Sequence, residues 1–379
     1  MLKEVKKVRI LTDAPLQFYG GGEKVILDLA NYLIFRGIQV DIVQSGEPIF
    51  SRLSLEEVRK MTSADIIVTN SPKQYRPKFL YQNLPDFDNF MRDRVNLMFL
   101  YRVPPKRFLS KLQKLNYRVI FCIHGITTVI NTRSIKLKFF KVYTKFALKY
   151  FAKFLQEKSN LIAQVLSKST ENFLKLNGAD GTHLKRIPNG IDFNKYSVGR
   201  NDEEFTIIFI GRIQDDQKGI DRLVRVINQL PRDIRKVVIG SGPDSEILRS
   251  IPDGKLDYLG FVSETEKIER LKTSNLIILT SNMEPFGLVL LEGLASGLPF
   301  VSRPVEGPIE LLTFNAGLGT VSSFDYKKLS RDILIYYNEW IKDKELYYVT
   351  KLSRREEAKQ IFNLQIMMEQ YYQMIANDV

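Results

Sequence analysis

The sequence predicts two α/β domains in series, each built on a doubly wound parallel sheet. Short β-branched runs alternate with helical stretches along all 379 residues, as in strand–helix–strand units. At residues 187–204, Pro, Asn, Gly and a run of charges interrupt the apolar periodicity. The chain is also long enough for two cores at roughly 150 residues per domain. We therefore expect a first domain over residues 1–190 and a second over residues 191–355.

Each half of the chain opens with the same motif, in which a strand leads into a glycine-containing loop and then into an amphipathic helix. Apolar runs predict strands at residues 8–12, 39–43, 65–69, 96–101, 118–123, 161–166, 205–210, 236–240, 256–260, 275–280 and 298–302. Ligands bind at the carboxyl ends of the strands in such sheets, so two domains that face each other would enclose a cleft. A diphosphate could lie there between helix N-termini and cations.

The composition excludes several classes of protein. Apolar residues make up 44% and charged residues 26% of the chain, as in ordinary globular proteins. One Cys and two His leave no material for a disulfide framework and little for a zinc site. No apolar run approaches the roughly 18 residues of a membrane span, and the basic N-terminal stretch precedes only a short apolar run before Asp13. We expect a cytoplasmic protein that holds no metal and no resident cofactor.

The net charge of +13 is unevenly distributed. Residues 1–190 hold 32 Lys and Arg against 15 Asp and Glu, a charge of +17, whereas the remainder holds 24 against 28, a charge of −4. A strongly basic half is typical of proteins that meet an anionic surface, either nucleic acid or lipid headgroups. Solubility alone is the other interpretation of this charge.

Two loops are candidates for anion binding. Gly21 and Gly22, at the start of the first helix, let backbone N–H groups approach an anion without a Cβ in the way. Arg212 and Lys218 flank a polar loop that opens a helix, so both charges can converge on one anion at its positive end. Neither loop has the spacing of a dinucleotide fingerprint or of a P-loop. A tight turn and a helix-start salt bridge are the alternative interpretations.

The segment 281–302 carries the most specific signal. Glu284 directly precedes a Pro-Phe-Gly turn, and Glu292 follows eight residues later in an otherwise apolar helix, two turns on and at about the same azimuth. A carboxylate is costly to bury in an apolar helix unless something bonds it, so Glu292 should face a polar ligand. The N–H groups of the turn can bind the hydroxyls of such a ligand.

Together these motifs resemble the signature of the retaining GT-B glycosyltransferases, in particular glycosyltransferase family 4 (glycosyl transferases group 1). The paired glutamates carry the resemblance, and the neighbouring motifs agree in order and spacing. These motifs are GGGEKVILDLANYLIFRGIQVDIV, IHG, IPNGID, FIGRIQDDQKGIDRLVRVI, VVIGSGP, LDYLGFV, EPFGLVLLEGLASGLPFVS and EGPIELL. The resemblance covers most of the chain and is strongest over residues 187–320 and weakest over residues 50–160.

The resemblance implies how a nucleotide-sugar donor would be bound. Arg212 and Lys218 match the cations on the donor's pyrophosphate, and Glu292 matches the glutamate that hydrogen-bonds the ribose. Glu284 matches the part that holds the donor sugar, which makes it a candidate catalytic residue. The backbone that matches the same part belongs to Phe286, Gly287 and Leu288.

In the first domain, His124 matches the histidine near the reacting sugar and is the second candidate catalytic residue. A buried histidine at a strand end is the alternative interpretation. Gly21 and Gly22 match the loop under the diphosphate. The resemblance also implies a C-terminal helix, residues 356–379, that crosses back onto the first domain. Phe-Asn-Leu at 362–364 departs from the Phe-Ser-Trp that the family often carries there.

These matches imply a hexosyltransferase-type enzyme (EC 2.4) that moves a sugar from a UDP or GDP donor to a hydroxyl of a glycan or lipid-linked acceptor. The family retains the anomeric configuration and generally uses no metal. Asp86 and Asp88 form the DxD pattern of an unrelated metal-dependent fold, but they do not follow a buried strand, and we interpret the pattern as coincidence. A sugar-nucleotide epimerase of the same fold, a basic nucleic-acid-binding protein and an inactive relative are the alternatives.

The segment 131–158 holds eight Lys or Arg and one acid. On a helical wheel five of its lysines fall within about 120°, and five of its aromatics share the adjoining sector. The side chains are Lys138, Lys141, Lys145, Lys149 and Lys153, and Phe139, Tyr143, Phe146, Tyr150 and Phe154. This form is typical of a basic interfacial helix and predicts a peripheral enzyme on the inner face of an anionic membrane. A surface helix whose aromatics face the first-domain core is the alternative.

Overall fold

A computed structural model of the protein describes residues 5–46, 48, 51–69, 87–104, 106–114, 117–124, 126, 135–156, 161–251 and 256–377. The chain divides into two compact units. The first unit comprises Met1–Thr128, Val142–Pro188 and Met367–Val379, and the second comprises Val129–Lys141 and Asn189–Ile366. The last residues of the chain therefore belong to the first unit.

A parallel sheet of seven strands forms the frame of the first unit. The strands are β1 (Lys7–Thr12), β2 (Gln39–Ser45), β3 (Asp65–Thr69), β4 (Val95–Leu100), β5 (Val119–Ile123), β6 (Leu161–Val165) and β7 (Leu184–Arg186). Their spatial order is β3-β2-β1-β4-β5-β6-β7. The order reverses between β1 and β4, so the topological switch point lies at the carboxyl ends of these two strands.

A parallel sheet of six strands forms the frame of the second unit. The strands are β8 (Thr206–Ile210), β9 (Arg235–Ile239), β10 (Asp257–Gly260), β11 (Leu276–Leu279), β12 (Phe300–Ser302) and β13 (Gly319–Val321). Their spatial order is β10-β9-β8-β11-β12-β13. The switch point of this sheet lies between β8 and β11.

Helices connect the strands throughout the described residues. They are α1 (Gly21–Phe35), α2 (Leu55–Arg59), α3 (Phe87–Met91), α4 (Lys106–Lys114), α5 (Ile135–Gln156), α6 (Lys168–Leu176), α7 (Asp215–Lys218), α8 (Ile220–Gln229), α9 (Glu264–Lys272), α10 (Leu288–Ala295), α11 (Glu306–Phe314), α12 (Tyr326–Lys342), α13 (Lys344–Phe362) and α14 (Leu364–Asn377). Ser54, Ser167 and Ser263 each begin a helix by accepting a hydrogen bond from a first-turn N–H.

The fold class and all eleven predicted strands are confirmed, with strand ends that differ by at most two residues. Sequence analysis missed β7 and β13. Each is three residues long and forms an outer edge of its sheet, and neither contains an apolar run. Pairing with a neighbouring strand, rather than an apolar pattern, defines these two strands.

Each unit has its own aromatic core. In the first unit β4 and β5 are buried along their whole length, and the ring of Phe121 meets the edge of Phe151 at 5.0 Å between centroids. In the second unit the buried ring of Phe205 packs at 5.7 Å from the single tryptophan, Trp340. These closely packed cores fix the positions of the strand ends, where the candidate site residues lie.

Candidate functional site

A lysine–glutamate pair lies at the carboxyl edge of the second sheet. Lys218, the last residue of α7, donates from Nζ to Oε2 of Glu284 at 2.5 Å. Both side chains are largely buried, with 19% and 12% of their surface exposed. The structure therefore brings together two residues that the sequence singles out, one for the diphosphate and one for the donor sugar.

A second lysine–glutamate pair joins α9 to α10. Nζ of Lys267 donates to Oε1 of Glu292 at 2.8 Å and lies 2.9 Å from Oε1 of Glu264. Burial lowers the pKa of Lys267, but the two carboxylates outweigh this effect and raise that pKa. Burial, together with the nearby Glu292 carboxylate, raises the pKa of Tyr196. Sequence reasoning missed Lys267 because it lies 25 residues away on another helix.

The expectation that the two glutamates share a helical azimuth is wrong. The helix α10 begins only at Leu288, so Glu284 precedes it whereas Glu292 lies on it. Gly287 caps the helix at a φ of +93°, in the left-handed region that favours glycine. Phe286 is buried beside this cap. The N–H of Leu290 donates to the Gly287 carbonyl at 2.8 Å, whereas the N–H groups of Leu288 and Val289 have no partner among the described residues and are available to a ligand.

Arg212 adds an exposed cation to the carboxyl edge of the second sheet. It follows β8 directly, and its side chain is exposed. Over the part of the chain that the structure describes, its guanidinium has no hydrogen-bond or ion-pair partner. The edge therefore offers one unpaired cation beside the two paired ones.

A buried amide fixes the loop that leads from β11 to Glu284. Oδ1 of Asn282 accepts from Arg222 at 2.8 Å and from Arg303 at 2.6 Å, and its Nδ2 donates to backbone carbonyls of α7. Burial, with the nearby charge of Arg222, lowers the pKa of Arg303 to about 10. These bonds hold α7 beside the loop and so position the Lys218–Glu284 pair. Sequence reasoning missed Asn282, which lies within the segment 281–302, and Arg303, which directly follows it.

In the first unit, His124 lies at the carboxyl end of β5 and is 6% exposed. Its Nε2 lies 2.8 Å from the hydroxyl of Tyr371 on α14, and the Phe99 ring lies 4.9 Å away between centroids. Burial lowers the pKa of His124 to about 3, so the imidazole is neutral. The structure therefore places this candidate catalytic residue in a dry environment, with Tyr371 as a partner that sequence reasoning missed.

Gly21 and Gly22 open α1, and their N–H groups have no acceptor within the helix. The Glu23 carboxylate accepts from the N–H of Gly20 at 2.8 Å and from the Tyr101 hydroxyl at 2.9 Å. A Cβ on Gly22 would lie 2.1 Å from that hydroxyl oxygen, so any side chain there would force the Tyr101 ring to shift. A carboxylate therefore already lies at the positive end of α1.

Asp13 adds a second buried carboxyl to this edge. It is 1% exposed, and its Oδ1 accepts from the Tyr101 N–H at 3.4 Å. Burial raises the pKa of Asp13 to about 7, against the opposing effects of that N–H and of the Arg102 charge. Burial also raises the pKa of Glu23. Sequence reasoning missed Asp13, although an acid directly after an apolar strand was a usable signal.

The helix predicted within residues 131–158 is observed as α5. Its first half exposes Phe139, Tyr143 and Phe146 by 73%, 63% and 71%. Its second half buries Phe154 and partly buries Tyr150 against the first-unit core. The aromatic stripe is therefore divided between solvent and core. The side chain of Lys138 lies outside the described residues.

No three His, Cys, Asp or Glu side chains converge on a possible metal position within the described ranges. Of the DxD pattern, Asp86 lies outside those ranges, and Phe87 and Asp88 begin α3. Where the structure describes helices, none is both long and apolar enough to cross a membrane.

Two family models match the chain. Residues 19–195 match Glycosyltransferase Family 4, and residues 191–353 match Glycosyl transferases group 1. The first match covers most of the first unit and the second match covers most of the second unit.

Curated relatives are similar over shorter stretches. An uncharacterized glycosyltransferase of Methanocaldococcus jannaschii is 36% identical over 129 residues, which is 32% of this chain and 33% of that protein. A phosphatidyl-myo-inositol mannosyltransferase of Propionibacterium freudenreichii is 32% identical over 142 residues, which is 35% of this chain and 36% of that protein. The alignments thus span about a third of the length of these relatives.

Solved structures are similar over the whole chain. HepE of Anabaena, in complex with UDP and glucose, has a TM-score of 0.71 at 17% identity and covers 98% of this chain and 100% of its own. Sucrose-phosphate synthase of Thermosynechococcus elongatus has a TM-score of 0.75 at 17% identity, with 97% and 98% covered. At this identity the similarity to solved structures shows the fold, and the two family models show the family. The chain belongs to the family 4 glycosyltransferases, which have the GT-B architecture.

Proposed function

We propose that this protein transfers a sugar from a nucleoside diphosphate sugar to a hydroxyl acceptor and retains the anomeric configuration. The observation that carries the proposal is the set of cations and glutamates at the carboxyl edge of the second sheet. Lys218 and Lys267 are each paired with a glutamate there, and Arg212 stands exposed beside them. Ligands of doubly wound sheets bind at this edge, next to the switch point.

The paired charges explain how this edge can bind both the diphosphate and the sugar of such a donor. A diphosphate that reaches Arg212 can draw Lys218 away from Glu284, because phosphate oxygens accept from an ammonium group as a carboxylate does. Glu284 then accepts from a hydroxyl of the sugar. Glu292, which is ion-paired with Lys267, accepts from the ribose hydroxyls. The cations stabilise the leaving nucleotide as the glycosidic bond breaks.

We infer a donor of the UDP or GDP type. The support for uridine is that HepE was solved with UDP and with UDP-glucose. The support for guanosine is the family resemblance alone. Both nucleotides offer the same diphosphate to the cations, so the base must be identified by measurement.

Thermal unfolding with the diphosphates of uridine, guanosine, adenosine and thymidine tests the donor site. A ligand at about 100 times its Kd stabilises by about 2.7 kcal/mol, so we expect uridine or guanosine diphosphate to raise Tm by several degrees. Arg212→Ala and Glu292→Ala should abolish this shift, whereas Arg232→Ala removes another exposed arginine and should keep it. Absence of any shift, or a shift that both site variants keep, contradicts the proposal.

Product analysis separates transfer from epimerisation. The donor that stabilises the protein is incubated with and without hydroxyl acceptors, and the sugar products are identified by NMR. We expect a new glycoside with the anomeric configuration of the donor. A changed sugar nucleotide in the absence of any acceptor would instead identify an epimerase.

We further propose that the acceptor is lipid-linked and is reached at an anionic membrane surface. The support is the first half of α5, where Phe139, Tyr143 and Phe146 are exposed and share a helix with the exposed Lys145 and Lys149. Aromatic rings at this spacing can enter the headgroup region while lysines meet lipid phosphates. Each lysine contributes at most about 1 kcal/mol near an anionic leaflet. Among structures similar in fold is WaaG, a glycosyltransferase involved in lipopolysaccharide biosynthesis.

Flotation with vesicles of neutral or anionic lipid tests this membrane contact. We expect recovery with anionic vesicles only, and loss of recovery when Lys141, Lys145 and Lys149 are all changed to Glu. A control variant makes the same charge change on α12, with Lys327→Glu, Arg331→Glu and Lys342→Glu, and should still float. Equal recovery with both lipids, or equal loss in both variants, contradicts the contact.

The apolar part of the surface has its own test. Phe146→Ser should weaken flotation because the ring no longer enters the headgroup region, whereas Leu176→Ser, at a site that is 86% exposed on α6, should not. Similar weakening by both substitutions would mean that α5 has no special role.

A further inference from the structure

The C-terminal helix brings a tyrosine onto the candidate catalytic histidine. From Met367 onward α14 belongs to the first unit, and Tyr371 is completely buried there. Its hydroxyl lies 2.8 Å from Nε2 of His124. The same hydroxyl also lies beside the buried thiol of Cys122, two residues before the histidine on the same strand end. A segment far away in sequence therefore contacts the ring directly.

Burial decides the charge of both partners. It raises the pKa of Tyr371 far above its usual range and lowers the pKa of His124. The phenol therefore keeps its proton, and only one of the two imidazole nitrogens is protonated. A neutral imidazole has one donor nitrogen and one acceptor nitrogen, so the bond with Tyr371 fixes which is which.

The two neighbours of the Tyr371 hydroxyl determine the direction of this bond. The hydroxyl has one proton to donate, and its polar neighbours are Nε2 of His124, at 2.8 Å, and the thiol of Cys122. An unprotonated imidazole nitrogen is a good acceptor, whereas a thiol sulfur is a weak one. The hydroxyl therefore donates to Nε2, which leaves the ring proton on Nδ1.

We propose that Tyr371 is a positioning residue whose hydroxyl donates to Nε2 of His124 and holds the ring as the Nδ1–H tautomer. Hydrogen bonding at one ring nitrogen sets the proton on the other, and here the setting group comes from the C-terminal helix. The structural part of the proposal depends only on contacts within the first unit. Its catalytic part, that this tautomer supports sugar transfer, rests on the function proposed above.

Nitrogen-15 NMR of the full chain labelled in histidine tests the tautomer directly, because the protein has only two histidines. His183→Gln removes the other signal and assigns that of His124. We expect Nδ1 protonated and Nε2 unprotonated in the wild type, with protonation moving toward Nε2 in Tyr371→Phe. Tyr372→Phe removes the next hydroxyl on the same helix, which contacts Arg36, and should leave the signal unchanged. An Nε2–H ring in the wild type overturns the proposal without the need for any variant.

Kinetics test the catalytic part. With UDP-glucose or GDP-mannose, whichever the wild type uses, release of the nucleoside diphosphate should show kcat about tenfold lower in Tyr371→Phe. KM should stay within about twofold, because the donor-binding residues proposed above lie in the second unit. An unchanged kcat in an active enzyme overturns the catalytic part. A wild type that uses no UDP-sugar or GDP-sugar, but shows the expected tautomer, contradicts the proposed function and leaves the positioning role intact.

Discussion

The carboxyl edges of the two sheets have the same topology and opposite electrostatic character. In the second unit the edge carries Lys218 and Lys267, each paired with a glutamate, and the exposed Arg212. In the first unit it carries the buried acids Asp13 and Glu23. The second edge is therefore suited to an anionic group, and the first to uncharged hydroxyls that can donate to carboxyl oxygens.

The net charges of the two halves of the sequence have the opposite signs to these two edges. Residues 1–190 carry +17, and the remaining residues carry −4. The excess lysines of the first half include exposed positions on α5, such as Lys145 and Lys149, rather than positions at the sheet edge. Charge counts therefore describe the exposed surface, whereas a few buried side chains determine which ligand a site suits.

Lys267→Met should have the largest effect on stability, because it leaves Glu292 buried without its ammonium partner. Breaking such a pair costs about 3–5 kcal/mol. Denaturant unfolding followed by the fluorescence of Trp340, the only tryptophan, reports on the second unit. Lys175→Met breaks the pair with Glu171, whose lysine is 44% exposed, and should cost less than about 1 kcal/mol by circular dichroism. Equal losses of unfolding free energy in the two variants would mean that the Lys267–Glu292 pair contributes no more than a surface ion pair.

Asp13→Asn tests the acidic edge through pH. The pKa of Asp13 is about 7 in the folded protein and 3.8 in the unfolded chain, so the folded state binds more protons between these values. Stability of the first unit should therefore fall by about 3 kcal/mol as pH rises from 4.5 to 7, and the variant should lack this fall. Hydrogen exchange of β1 and β4 amides at several pH values measures it. The same slope in both proteins would mean that Asp13 is not the titrating group.

Gly22→Ala should destabilise the first unit by about 2 kcal/mol, because the new methyl group overlaps the Tyr101 hydroxyl. Tyr101→Phe removes that oxygen, so the double variant should recover part of the loss. Thermal unfolding of the two single variants and the double variant gives the coupling energy. Strictly additive effects would show that the close contact at this glycine is unimportant.

Lys351→Met gives the smallest expected effect and has the opposite sign of pH dependence. Nζ of Lys351 donates to the carbonyls of Gly199 and Ser274, and burial, with the charge of Arg354, lowers the lysine pKa from 10.5 to about 7. The unfolded chain binds more protons above pH 7, so stability should rise by about 1.5 kcal/mol from pH 7 to 8.5. Trp340 fluorescence should show this rise in the wild type and not in the variant. A flat wild-type profile would contradict the assignment.

Most of the fold could be predicted from the sequence, since apolar periodicity reflects burial in the sheets. The strands β7 and β13 could not be, because three residues of mixed character become a strand only when a neighbour pairs with them. Within the site, Lys218 and Glu284 belong to recognisable motifs, but nothing in their spacing indicates that they contact each other. Their contact depends on Asn282, which joins α7 to the loop after β11.

Partners from distant segments were beyond sequence reasoning. Lys267 lies 25 residues from Glu292, and Tyr371 lies 247 residues from His124. The members of each pair lie on different elements, so only the tertiary structure brings them together. The position of Glu284 before α10, rather than on it, has the same origin, because the helix start depends on the Gly287 cap.

Hydrogen–deuterium exchange with and without UDP or GDP is the most direct test of the contrast between the two edges. The site proposed here requires slower exchange at residues 211–219 and 282–292 when the diphosphate binds. That protection should disappear in Arg212→Ala and persist in Arg232→Ala. Unchanged exchange in both segments, with protection confined to residues 13–23 or absent everywhere, would contradict the assignment of the diphosphate to the second unit.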